Sequence, residues 1–211
     1  MADMSRKATE KAKRQRSSGN GAGAVATLRE RISEEPTDNA ARMLLADILF
    51  NDMRDEGGGV EQLDAILRND PGHDDARKAL ITVLKKKRRH AEEVACHYQI
   101  LVDRYPDDDA LINSYAIFCK YQLTEFDKAA ELYERAIDLA PNNPDYRINY
   151  SILLVKDLKD YAKGRVQIER AIELDPSNTE ARRAHEKLMK RKFRDELPGT
   201  GFLGRFRRKP R

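Results

Sequence analysis

Histidine, cysteine and carboxylate come closest together in HAEEVACH (90–97), where His90, Cys96 and His97 surround Glu93. The residue types suit a metal; the spacing does not. On a helix His90 and His97 share a face but sit seven residues apart, whereas a metal site usually takes an i, i+4 pair and a third strong ligand. A surface histidine pair is expected instead. The glycines 57–59 lack the Lys-Ser/Thr that completes a phosphate loop, and read as a helix break with Gly59 in a close approach. Asp74, Asp75 and Asp107–Asp109 stand where helices begin, which makes them caps and dipole partners, not acid–base pairs. No nucleophile, base and orienting group can be assembled into one set. The expectation is a chain that is not an enzyme and calls for no metal and no cofactor.

What the chain must position is therefore a surface, and a repeat does the positioning. Prolines fall at 36, 71, 106, 141 and 176, each 35 residues after the last. Four residues before them stand Ile32, Leu67, Val102, Ile137 and Ile172; eight before stand Leu28, Leu63, Tyr98, Tyr133 and Ile168. Nine after come Leu45, Leu80, Tyr115, Tyr150 and His185, and thirteen after come Leu49, Leu84, Cys119, Leu154 and Met189. Apolar spacings of three and four indicate helices, and two helices fit between successive prolines. The first is capped by residues such as Asp38, Asp108, Asn143 or Asn178. The second stops before the next proline, which cannot continue it. One such pair cannot bury its apolar face alone, so neighbours must stack.

The second helices carry the signature most clearly. FDKAAELYERAIDLAPNN (126–143) places Phe126, Ala129, Tyr133, Ala136 and Pro141, and YAKGRVQIERAIELDPSN (161–178) places Gly164, Ile168, Ala171 and Pro176. This pattern resembles the tetratricopeptide repeat. The first helices depart from that family: its Trp is replaced by Arg42, Arg77, Arg147 and Arg182, with Ile112 in the middle unit, and its Leu-Gly pair becomes Tyr115-Ala116 and Tyr150-Ser151. The resemblance covers about 24–193 and implies an all-α fold, a right-handed helix-turn-helix solenoid. It would hold about four 35-residue repeats over 39–176, with cap helices at 24–35 and 179–193. Residues 1–23 are expected to form a disordered basic N-terminal segment and 194–211 a flexible basic C-terminal tail.

The resemblance also implies a concave groove lined by the first helices, one that takes a partner peptide. By position the groove would present Lys78 and Lys85, then Asn113, Ile117, Lys120 and Tyr121, then Ile148, Ile152 and Lys156, with Arg183, Lys187, Lys190 and Arg191 from the cap. An apolar centre with lysines on both sides suits a protein segment with apolar anchors and acidic flanks. The plainer alternative is a set of solvated lysines beside core apolar residues. The Lys–Asn pair with which some family members grip acidic chaperone tails is missing at the corresponding positions, including Lys78/Thr82 and Asn113/Ile117. The expected role is a non-catalytic scaffold or adaptor, and self-association is an open possibility.

Charge adds a second theme. Net charge is +4 over the chain, but it divides into +4 for 1–23, −9 for 24–181 and +9 for 182–211. The bland reading is solubility and frayed ends. The sharper one is a peripheral binder of nucleic acid or an anionic membrane acting through its basic termini. In GFLGRFRRKPR (201–211), Phe202 and Phe206 alternate with cations such as Arg207 and Arg208, so the tail has the chemistry for a second contact with protein, membrane or nucleic acid. LPGTG (197–201) looks like a sortase anchoring signal. Only FLG separates it from the basic end and no apolar leader is seen, so it reads as a Pro-Gly joint. Two cysteines without C-x-x-C spacing, no secretory leader and no long apolar run suggest a cytoplasmic location.

Overall fold

The computed structural model describes residues 2–193, and every regular element among them is helical. They fall into two compact units, divided after His90. The first holds α1 (Ala2–Ser17), α2 (Gly21–Glu34), α3 (Asn39–Asn51), α4 (Glu56–Asn69) and α5 (Asp74–Leu84), and ends in a 3₁₀ turn, Arg88–His90. The second holds α6 (Ala91–Arg104), α7 (Asp109–Phe118), α8 (Phe126–Leu139), α9 (Pro144–Leu153), α10 (Tyr161–Leu174) and α11 (Thr179–Lys192). A π turn closes α7 over Cys119–Leu123 and another closes α9 over Leu154–Leu158. This is an all-α helical-repeat solenoid.

The 35-residue period sets each boundary. Asp38, Asp108, Asn143 and Asn178 all accept a backbone N–H from the first turn of the helix that follows. The second helices end at Glu34, Asn69, Arg104, Leu139 and Leu174, two residues before each proline. Turns inside a repeat close on a left-handed residue at Gly19, Arg54, Thr124 and Lys159, with φ of 80°, 58°, 60° and 61°. Only glycine enters that region without a steric cost, and the period brings three other side chains there. The turn at 85–90 takes a 3₁₀ form instead.

The apolar columns are the core. Leu28, Leu63, Tyr98, Tyr133 and Ile168 are at most 5% exposed, and so are Leu45, Leu80, Tyr115 and Tyr150. In the second unit these columns meet across the repeat boundary. The rings of Tyr98 and Tyr115 stack 5.1 Å apart, and Tyr133 lies against Tyr150 at 6.0 Å. The second helix of one repeat is therefore packing surface for the first helix of the next.

The arginines that replace the family's Trp have a definite task. Arg42 donates to the carbonyl of Pro36 at 2.9 Å and to Gln62 at 2.7 Å; Arg147 donates to Pro141 at 3.1 Å and to Gln167 at 3.0 Å. Arg77 likewise reaches Pro71. Each guanidinium satisfies a carbonyl left over where a helix has just ended. The middle repeat has Ile112 at that position, and there Arg135 of α8 donates to Pro106 instead.

Residues 1–23 depart from the expected disorder. Residues 2–23 form α1, the turn after it and the first residues of α2, so α1 and α2 make a further helix pair ahead of α3. Ala12 is fully buried in a cluster with Ala24, Leu28, Leu45 and Ile48. Arg16 pairs with Asp47 at 2.5 Å and Asp52 at 2.7 Å, and Ser5 donates to Asp38 at 2.8 Å. Alanine lets helices approach without supplying an apolar stripe. A helix held by one alanine and polar bonds has the composition of a tail.

Candidate functional site

Lys78 and Lys85 lie exposed on the α5 side of the first unit. In the second unit the first helices α7 and α9 run side by side. Asn149 donates to Asn113 at 3.3 Å, and Tyr146 donates to Asp109 at 2.7 Å. Ile117 and Ile152 are half-buried on this face, Lys156 is exposed, and Tyr121 is 60% exposed. The last residue is the most exposed aromatic among the described residues of the unit.

Two residues expected in the groove are not available to a partner. Lys120 is buried, with its side chain only 4% exposed. Its ammonium sits 3.5 Å from Asp157 and 4.7 Å from the centre of the Tyr121 ring. The π turn that closes α7 carries Lys120 inward, where it meets the π turn of α9. Ile148 is 5% exposed and belongs to a core cluster with Ile168, Ala171 and Ala181. Helical periodicity alone places both on the first-helix face; the π turns and the arrival of α11 decide their burial.

A concavity of about 140 Å³ lies between α9 and α11. Ile152, Val155, Ala184 and Leu188 supply apolar walls, and Ser151 lies among them. Lys156, Lys187, Arg191 and Lys192 complete the lining with Tyr161, and no carboxylate is among these residues. The Lys192 ammonium rests 4.2 Å over the Tyr161 ring, which fixes one corner of the rim. Gly164 of α10 packs against Val155, one of the pocket's walls. A Cβ there would stand 2.6 Å from Val155 Cγ2, so the missing side chain lets α9 and α10 close up.

The sequence places Ile152, Lys156, Lys187 and Arg191 on this face, and does not announce Tyr161, Ala184, Leu188 or Lys192. Leu188 is not in the repeated columns, because α11 has no following helix to define its buried side. Gly164 was the available signal: a glycine in the small-residue column marks close helix approach.

The other chemical candidates resolve more simply. His97 lies 4.0 Å from Glu93 on its own helix, and His90 accepts from Arg89 at 3.0 Å. No group of three metal-ligating side chains is placed to hold an ion among the described residues. Cys119 is fully buried, and burial pushes its thiol pKa up to about 12, so it serves as a small core hydrophobe. Gly59 makes the expected close approach, since a Cβ there would lie 2.4 Å from the Phe50 ring. No described helix is long and apolar enough to cross a membrane. LPGTG and Phe202, Phe206, Arg207 and Arg208 lie outside the described residues.

Stacked helix pairs of this kind define an α-helical repeat scaffold. Two tetratricopeptide-repeat models match, one over 19–95 and one over 120–181, and the chain belongs to the tetratricopeptide-repeat family. Such proteins are protein–protein interaction scaffolds. Among solved structures, residues 41 to the end of MamA from Desulfovibrio magneticus RS-1 superpose with a TM-score of 0.65 at 20% identity, covering 84% of this chain and 98% of that one. A tetratricopeptide repeat protein from Parabacteroides merdae gives 0.69 at 14% identity, over 89% and 73%. YrrB, a tetratricopeptide-repeat protein with an unusual peptide-binding site, gives 0.67 at 15% identity, over 85% and 90%. At these identities the likeness concerns the fold alone. No curated protein sequence matches significantly.

Proposed function

We propose that the chain is an adaptor that holds an extended segment of a protein partner against the α9–α11 face. A large apolar side chain of the partner enters the pocket walled by Ile152, Val155 and Leu188. Aspartates or glutamates on either side of that anchor meet Lys156, Lys187, Arg191 and Lys192. One observation carries this reading: an apolar pocket whose charged lining is entirely cationic. Apolar burial supplies the affinity of such a contact, and the charges supply orientation and partner choice. Exposed Tyr121 extends the surface toward α7. Cys96 is an exposed free thiol, which suits a reducing, cytoplasmic setting. Binding through the N-terminal cations has less behind it, because Arg16 is committed to Asp47 and Asp52 within the chain.

Selection of displayed random peptides against the intact chain tests the proposal. The expected outcome is enrichment of one Leu, Ile, Phe or Met with Asp or Glu nearby. Binding of the selected peptides should be lost in Ile152→Glu while far-ultraviolet circular dichroism stays unchanged. Selected peptides that lack an acidic bias, or that bind Ile152→Glu as well as the unmodified chain, place the binding surface elsewhere.

A further inference from the structure

The α9–α11 pocket has a second candidate occupant within the same molecule. Phe193 follows the last turn of α11, and two residues of that turn, Arg191 and Lys192, line the pocket itself. The chain continues as RDELPGT (194–200), which is outside the described residues. Asp195 and Glu196 there stand directly before Leu197. These are the only acidic residues between 194 and 211, and they adjoin an apolar side chain of the size the pocket admits. An acidic pair beside a leucine is the chemistry that the cationic rim and apolar walls call for.

The reach is short enough. The Arg165 guanidinium lies 5.1 Å over the Phe193 ring, so the chain leaves α11 on the α10 side, close to Tyr161 and Lys192 at the pocket rim. Four further residues reach Leu197, and an extended chain spans at most about 3.3–3.6 Å per residue, hence roughly 13–14 Å. Pro198 follows, and a residue before proline favours extended backbone, which presents one side chain outward instead of continuing the helix. Arg194 precedes the acidic pair, and the next cations begin at Arg205, eight residues beyond Leu197, far enough along the chain that their repulsion by the cationic rim does not draw Leu197 away.

We propose that Asp195, Glu196 and Leu197 occupy the α9–α11 pocket as a tethered ligand, which a partner segment of the same chemistry must displace. The proposal rests on the partner-binding reading of this pocket. So short a tether gives an effective concentration on the order of millimolar. A weak intrinsic affinity then suffices for partial occupancy, and partner affinity falls by the same factor that occupancy sets.

Methyl-labelled intact chain provides the test, observed by NMR at Val155, Ile152 and Leu188. Leu197→Ser and the double change Asp195→Lys with Glu196→Lys are compared with the unmodified chain. Both variants are expected to shift these methyl signals in the same direction. Adding synthetic peptide RDELPGT at millimolar concentration should return the Leu197→Ser signals toward their original positions and leave the unmodified chain nearly unmoved. Peptides selected as above should bind Leu197→Ser roughly two- to tenfold more tightly than the unmodified chain. Coincident spectra for all three chains, with no response to RDELPGT, overturn self-occupancy. If selected acidic–apolar peptides still move the same methyl signals, the partner site survives that result. If they move none of them, both readings fall.

Discussion

Replacing Tyr133 by alanine is expected to cost the second unit about 3–5 kcal/mol, the usual loss when a large aromatic is cut from a packed core. Tyr133 is 1% exposed and stands against Tyr150 of the next repeat, their ring centres 6.0 Å apart. The cavity therefore opens between repeats, at the interface that makes neighbouring pairs cooperative. Urea unfolding followed by circular dichroism should show a lower midpoint or a separate early transition for the second unit. An unmoved midpoint would mean that the column eight residues before each proline does not carry the stacking.

The second large effect comes from the ion pair that sequence reasoning did not foresee. Asp157→Ala removes the carboxylate 3.5 Å from the Lys120 ammonium and leaves a lysine whose side chain is 4% exposed without its counter-charge. Breaking a buried pair from one side costs about 3–5 kcal/mol; Asp157 is itself a quarter exposed, which places this case near 3. Adding Lys120→Met to Asp157→Ala removes the stranded charge and should recover most of the loss. A double-mutant cycle checks this through unfolding midpoints. Strictly additive losses would show that the two side chains do not stabilise each other across the two π turns.

These two residues mark how far the sequence can be read. Tyr133 was legible because a 35-residue period sorts core positions into columns, and five copies of a column outweigh any local ambiguity. The caps at Asp38, Asp108, Asn143 and Asn178 were legible for the same reason. Lys120 was not, because an α-helical projection turns it toward solvent, whereas the π turn over Cys119–Leu123 adds a residue to the coil and swings it inward. Ile148 was assigned to the groove because nothing in α9 itself announces that α11 arrives with Ala181 to bury it. The helix α1 was illegible for another reason. Its packing rests on Ala12 and on Arg16 reaching Asp47 and Asp52, and charged residues look alike in sequence whether they are paired or solvated. Of the pocket, the α9 wall followed from the repeat. The α11 wall followed only in part, since a terminal helix has no successor to reveal its inner face.

The central claim is that an apolar anchor with acidic flanks seats between α9 and α11, and a charge exchange tests it most directly. One peptide with a leucine flanked by glutamates and one with the same leucine flanked by lysines would each be titrated, by fluorescence anisotropy, into two proteins. These are the unmodified chain and the triple variant Lys156→Glu, Lys187→Glu, Arg191→Glu. At low salt the acidic peptide should bind the unmodified chain, and changing either partner alone should weaken binding roughly tenfold or more, since three contacts become repulsive. Exchanging both should restore a large part of the affinity, and rising salt should narrow every difference. Equal affinity in all four combinations, at low salt and high, would contradict the account.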